Sequence, residues 1–294
     1  MAEAIYRGWD RARLDAELNL RARWPDHAEI FERWARESRK ARKSLGGRLE
    51  LAYGESQGER LDLFPVPGHK HAPLLAFIHG GYWQSLDKSD FSYLAPPWLE
   101  AGVAFASLNY DLAPKASLPE MVAQIRRAVA WLYNHAAQHG IDRERIFLAG
   151  HSAGGHLAVL AAERDWIEPG SDLPVEAVKG GLSISGVYDL EPIRLSYHQA
   201  VLRLNPDQVA EASPLRRPPR SAGPLLLAVG DEETEEFQRQ QAEFLETWRN
   251  QGLTAASVDL PRRHHFTAVD ALGEPEHPLF AAMRAMIAGE VDKG

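Results

Sequence analysis

One five-residue stretch of this chain carries an obvious chemistry: Gly150-His151-Ser152-Ala153-Gly154. A serine flanked by glycines in the order G-x-S-x-G is the pattern of a nucleophile held on a sharp turn. The pattern is short, so its setting decides. Apolar residues Ile146-Phe147-Leu148-Ala149 precede it, and a helical run from Gly155 to Ala162 follows. A strand–turn–helix of that kind lifts the serine hydroxyl above a sheet, near the positive end of the helix. The tight turn needs minimal side chains on either side, which Gly150 and Gly154 supply.

A second signal is His79-Gly80-Gly81-Tyr82-Trp83, directly after the apolar run Leu74–Ile78. Two glycines there leave backbone N–H groups free to approach a developing oxyanion. With the N–H of Ala153, the amides of Gly80 and Gly81 would form an oxyanion hole, in which each donor typically contributes roughly 3–4 kcal/mol to the transition state. His79 reads as a brace for this loop rather than as a base.

A nucleophilic serine needs a base, and the base needs a carboxylate to orient it. The order expected for this setting is serine, acid, histidine. After the run Leu225–Val229 comes Gly230-Asp231-Glu232-Glu233-Thr234-Glu235-Glu236-Phe237, with several candidate acids. After the strand around Ala256–Leu260 comes Arg262-Arg263-His264-His265-Phe266. Both follow the C-terminal end of a strand, where open α/β sheets place their sites. Adjacent histidines on a loop point different ways, and no H-E-x-x-H spacing accompanies them, so no metal is expected.

These residues require a scaffold, and the pattern supplies one. Arg48–Tyr53 and Arg60–Phe64 alternate apolar and polar residues around a Gly-Glu-Ser-Gln-Gly turn, which predicts an antiparallel hairpin. The runs Leu74–Ile78, Val103–Leu108, Ile146–Ala149, Gly181–Ile184 and Leu225–Val229 are short and continuously apolar, as suits parallel strands buried on both faces. Helical patterns lie between them, over Leu118–His139, after Ser152, over Glu235–Gln251 and over Leu279–Ile287. The fold class predicted is α/β: a mainly parallel central sheet with helices on both faces, in one domain spanning 1–294.

Residues 1–45 read as a helical extension that could form part of a cap, with 46–294 as the catalytic core. Asp26 and Glu29 after Pro25 suggest a capping box, and Ile30, Trp34, Ala41 and Leu45 fall on one face. Arg33, Arg36, Arg39, Lys40, Arg42 and Lys43 occupy the other, which is expected to be solvated.

Composition narrows the function classes. The chain has 294 residues and a formal charge of −8, which argues against general affinity for nucleic acid or an anionic membrane. There is no cysteine, so disulfides, thiolate metal sites and a cysteine nucleophile are excluded. The N-terminal stretch has no apolar h-region and no run reaches the length of a membrane span. A cytoplasmic enzyme is the expectation.

At these residues the chain resembles the kynurenine formamidase (arylformamidase) branch of the α/β-hydrolases, close to the hormone-sensitive-lipase-like esterases. The likeness runs through Leu20-Arg21-Ala22-Arg23, Pro25-Asp26-His27, Tyr53-Gly54 and Leu61-Asp62-Leu63. It continues in the HGGYW run at His79–Trp83, Asn109-Tyr110, the elbow at Gly150–Gly154, and Ser185-Gly186-Val187-Tyr188-Asp189-Leu190. Ser213-Pro214 and Glu236-Phe237-Gln238-Arg239-Gln240 complete it. The HGGYW form is the more specific part, since the wider esterase group usually has a third glycine.

The resemblance implies an α/β-hydrolase fold with Ser152 as nucleophile. The family acid falls three residues after the strand-ending glycine and three before Glu-Phe, which selects Glu233, with Asp231 as competitor nearer the strand end. The family base directly precedes a phenylalanine, which selects His265 over His264. Gly80, Gly81 and Ala153 take the oxyanion roles. Tyr82, Trp83 and Tyr188 could stack on an arylamide or wall a simple ester. The implied reaction is hydrolysis of N-formyl-L-kynurenine to L-kynurenine and formate, with a short-chain carboxylesterase as the alternative and a non-catalytic hydrolase-fold binding protein as the third reading. No metal or organic cofactor is implied. The partner expected is a small-molecule acyl substrate, with the oligomeric state open and a homodimer possible.

Overall fold

The computed structural model describes residues 3–168 and 172–290. Met1 and Ala2, which open the N-terminal stretch read above, lie outside them, as do residues 169–171 and 291–294.

Among the described residues eight strands form a single sheet. They are β1 (Arg48–Ala52), β2 (Arg60–Phe64), β3 (Ala72–Ile78), β4 (Ala104–Leu108), β5 (Ile141–His151), β6 (Val178–Ile184), β7 (Leu225–Gly230) and β8 (Ala255–Leu260). The spatial order is β1-β2-β4-β3-β5-β6-β7-β8. The expected hairpin is present, with Ala52 opposite Arg60, and β2 joins β4 antiparallel. From β4 to β8 every pairing is parallel.

The continuous apolar runs are explained by helices covering both faces. Adjacent strand residues point to opposite sides. On β6, a Cβ at Gly180 would meet Met286 of the helix Pro278–Ala288, while one at Gly181 would face Ala162 of the helix Ala153–Ala162. A strand so placed has no polar face, and every residue of β3 is buried.

The predicted helix from Leu118 starts as expected. The Ser117 side chain accepts from the Glu120 amide, Pro119 sits in the first turn, and Met121, Ile125, Val129 and Leu132 are buried. The α-helix stops at His135, and Ala136–His139 tighten into a 3-10 turn closed by Gly140 at φ 73°.

The N-terminal extension is three helices, Arg11–Leu18, Leu20–Arg23 and His27–Ser44. Asp10 and Asn19 cap the first two through their side chains. The capping box expected at Asp26 does not form. Asp26 has helical backbone angles (φ −69°, ψ −7°), not the extended backbone a side-chain cap needs, and its carboxylate lies 3.4 Å from His264 Nε2 instead. The basic face is also not wholly solvated. Arg33 bonds Asp270 at 2.6 Å, and Arg42 pairs with the buried Asp62. On the opposite face Trp34 donates its indole N–H to Asp270 at 3.1 Å. The extension is thus tied onto the sheet domain by charge as well as by its apolar face. Among the described residues no helix is long and apolar enough to cross a membrane.

Candidate active site

Sheet register brings the motifs together. Ile78 of β3 lies beside Gly150 of β5, so the two glycines after His79 leave the sheet next to Ser152. His151 pairs with Ile184 of β6, and the Ser152 amide donates to the Ile184 carbonyl at 2.8 Å.

Ser152 has φ 57° and ψ −121°, a left-handed conformation rare for a residue with a side chain. Such strain persists only where the surroundings fix it, and it is typical of functional turns. The glycines are required by contact. A Cβ at Gly150 would strike the Gly154 carbonyl, and one at Gly154 the Ile78 carbonyl. Gly80 approaches so closely that a Cβ there would sit 3.0 Å from the Ser152 Cβ.

The three amides expected to form an oxyanion hole have no partner among the described residues. Among the described residues the amides of Gly80 and Gly81 donate no hydrogen bond, and Ala153 is the first residue of its helix, where an amide has no intrahelical partner. His79 is fully buried behind them. Its Nδ1 lies 2.8 Å from the Gly80 carbonyl and its Nε2 2.9 Å from Asn109 Oδ1, with Tyr110 stacked at 4.6 Å. Burial lowers its basicity. It braces the loop, as expected.

The two candidate acids separate clearly. Glu233 Oε2 accepts from His265 Nδ1 at 2.7 Å, and both side chains are buried. Its other oxygen accepts from the Gly230 amide at 3.1 Å and from the Ser185 hydroxyl. Asp231 is exposed and accepts from the Arg262 amide at 2.6 Å, so it does not reach the imidazole. The two histidines separate too. His264 caps the short helix His265–Ala268 through its own ring and stacks on Trp24 at 5.2 Å. With Nδ1 held by the carboxylate, the ring nitrogen of His265 left without that partner is Nε2.

Ser152, His265 and Gly81 line one cavity of about 410 Å³, within the range of roughly 300–1,000 Å³ usual for small-molecule sites. The N-terminal extension supplies part of its wall through Asn19, Leu20, Arg21, Phe31 and Trp34. The N-terminal helices thus flank Ser152.

Two aromatic expectations need correction. Tyr82 lines the cavity, with its hydroxyl donating to the Leu18 carbonyl at 3.0 Å. Trp83 does not. It is fully buried and packs edge-on against His156 at 5.1 Å. Tyr82 and Trp83 both have positive φ, and that turn sends the first ring to the cavity and the second into the core. Tyr188 is also fully buried, stacked on Phe244 at 4.1 Å with its hydroxyl donating to Ser183 at 2.9 Å.

Several cavity residues were not foreseen, His151, Gln84 and His198 among them. His151, inside the elbow itself, lies with its Nε2 2.8 Å from the His265 carbonyl, and burial first, then the neighbouring His265, holds its pKa well below the ordinary value. A neutral ring there donates from Nε2 and fixes the backbone of His265. Gln84 and His198 also line the cavity, 2.8 Å apart. Only the position of His151 within the motif could have signalled any of them.

The BD-FAE family matches residues 61–172. A kynurenine formamidase of Danio rerio is 29% identical over 94% of this chain and 91% of its own. One of Salmo salar is 31% identical, covering 81% of each. A crystal structure of a proposed thioesterase from a Silicibacter species is 32% identical, covers 91% of this chain and 97% of its own, and superposes with a TM-score of 0.80. The protein is a hydrolase of α/β-hydrolase fold, and it belongs to the kynurenine formamidase family.

Proposed function

We propose that the chain is an arylformamidase that converts N-formyl-L-kynurenine to L-kynurenine and formate. The observation that carries the chemistry is the buried 2.7 Å contact between Glu233 and His265, on the cavity that holds Ser152. Kinship with two fish formamidases supports the substrate.

In this reading Ser152 Oγ attacks the formyl carbon while His265 Nε2 takes its proton. The tetrahedral oxyanion is met by the amides of Gly80, Gly81 and Ala153. His265 then gives the proton to the departing arylamine nitrogen as the C–N bond breaks. Water attacks the formyl-serine ester, His265 takes one of its protons, and the same proton returns to Ser152 as formate leaves. Glu233 stabilises the imidazolium in both halves. The small-molecule substrate and, given a chain without cysteine, a cytoplasmic setting belong to the same proposal.

The likeness to a proposed thioesterase favours a second reading, hydrolysis of short acyl esters or thioesters by the same residues. Purified enzyme assayed on N-formylkynurenine beside short-chain p-nitrophenyl esters separates the two. Formamide turnover with kcat/KM at or above that of the esters is expected. Fast ester cleavage with negligible formamide turnover would sink the arylformamidase assignment.

A further inference from the structure

The cavity holds two nitrogen donors that the hydrolytic steps do not use. The first is His198, only 3% exposed but part of the cavity wall. Gln84 Nε2 lies 2.8 Å from its Nδ1. An amide NH2 only donates, so Nδ1 is the acceptor and the imidazole proton sits on Nε2. That Nε2–H is buried, and its nearby acceptor is the Leu18 carbonyl, which already accepts from the hydroxyls of Tyr82 at 3.0 Å and Tyr197 at 3.3 Å. A buried donor that must share one carbonyl with two hydroxyls is under-satisfied, and a ligand oxygen would meet it better. Burial lowers the pKa of this ring to about 4, so at neutral pH it is a neutral donor.

The second is Arg21, from the helix Leu20–Arg23. It lines the same cavity, donates to Ser85 Oγ at 3.1 Å, and rests over the Phe31 ring at 5.6 Å. Among the described residues it forms no ion pair with a carboxylate. Its charge disfavours protonation of His198, which places the two near one another. Gln84 and Ser85 are consecutive, so one short loop holds both donors. The chain as a whole is acidic, at −8, so affinity for an anion has to come from a local device such as this one.

We propose that Arg21 and His198 form a subsite for a carboxylate on the substrate, and that the enzyme therefore prefers acyl compounds whose remote end is anionic. One guanidinium and one imidazole N–H suit the two oxygens of a carboxylate, and the charge-assisted bond to arginine would dominate. The proposal deepens the hydrolase reading, since it takes the cavity beside Ser152 as the substrate site.

Titration calorimetry tests it without turnover. The probes are 4-oxo-4-phenylbutanoate, an aryl-keto acid, and its neutral primary amide. Wild-type enzyme is expected to bind the acid at least about tenfold tighter than the amide. Arg21→Met should bring the two Kd values to within about twofold, Arg21→Lys should keep part of the preference, and His198→Phe should reduce it several-fold while preserving a ring on Tyr82. Thermal melting checks that each variant is folded; Arg21 is exposed, so its variants carry the test if His198→Phe fails to fold. Equal or undetectable binding of the acid by wild type, or an undiminished preference in Arg21→Met, overturns the subsite. Failure to cleave N-formylkynurenine with the acid preference intact would instead remove the formamidase assignment and leave the subsite standing.

Discussion

Where Ser152 leaves β5, backbone geometry does the positioning. The Ser152 and Ser185 amides donate to the carbonyls of Ile184 and Ala228, one strand over in each case, and glycine-only contacts pin the turn. Where the N-terminal arm crosses the same cavity, long side chains do it. Asp270 collects Arg33, Trp34 and Tyr93 at 2.6, 3.1 and 2.9 Å, and Glu236 collects Tyr6 and Arg239 at 3.1 and 2.7 Å. Backbone ladders tolerate side-chain change, whereas a charged cluster depends on each member. On the proposed function, chemistry would belong to the sheet ends and substrate fit to an arm that few substitutions could alter or release.

The strongest test on the sheet side is Ser152→Ala. Loss of the nucleophile should lower kcat by roughly 10⁴-fold or more on every substrate, leaving a residue of catalysis from the oxyanion amides and binding. Wild-type rates in this variant would remove the mechanism. Next comes the acid. Glu233→Ala should cost about 10³–10⁴-fold in kcat, since the imidazole loses both its tautomer lock and its counter-charge. Asp231→Ala should stay within about threefold, because its carboxylate holds only the Arg262 amide. Comparable losses in both would mean that the 2.7 Å pairing is not the functional one.

The same contrast explains what could be read from the residues. Ser152, the glycine loop and the carboxylate-rich turn each follow a short apolar strand, so local pattern places them. Choosing Glu233 over Asp231 needed the family spacing, because nothing local says that Asp231 turns back onto Arg262. The arm is different. Periodicity marks Trp34 as buried, but its partner Asp270 lies 236 residues away. Nor does a row of arginines on a helix say which two will meet a carboxylate. Trp83 and Tyr188 were misplaced for a related reason. Aromatic type suggests a pocket wall, whereas a pair of positive-φ residues decides which ring reaches it. His198 carried no motif and Arg21 only a place in the family likeness, and only the folded cavity brings the two onto one wall.

The arm's dependence on one carboxylate can be broken directly. Asp270→Ala strips the partner from Arg33, Trp34 and Tyr93 together, and should destabilise the protein by about 3–5 kcal/mol in urea unfolding. It should also raise KM several-fold while kcat changes by less than about threefold, because the triad lies on other elements. A kcat loss as large as the KM rise would show that the arm positions the reacting groups and does more than wall the substrate.

Acid titration asks whether arm and core unfold together. His156 is fully buried in the helix after Ser152, donating from Nε2 to the Ala212 carbonyl at 2.7 Å, and burial lowers its pKa to about 4. Its unfolded value is about 6.5. The native state therefore refuses a proton that the unfolded chain accepts. Stability from this group is complete above pH 6.5 and declines as pH falls toward 4, by up to about 3 kcal/mol, with no further loss below. Urea unfolding from pH 7 to pH 4 should show that slope, and His156→Gln should flatten it. Burial likewise lowers the pKa of His198 to about 4, but this ring packs against Tyr82 and Tyr197, whose hydroxyls both reach the arm at Leu18. If the arm stays docked until the sheet melts, substitutions at the two histidines should flatten the curve by similar amounts. If the arm lets go first, His198 is already exposed in the species that unfolds, and only the His156 share should remain in the main transition.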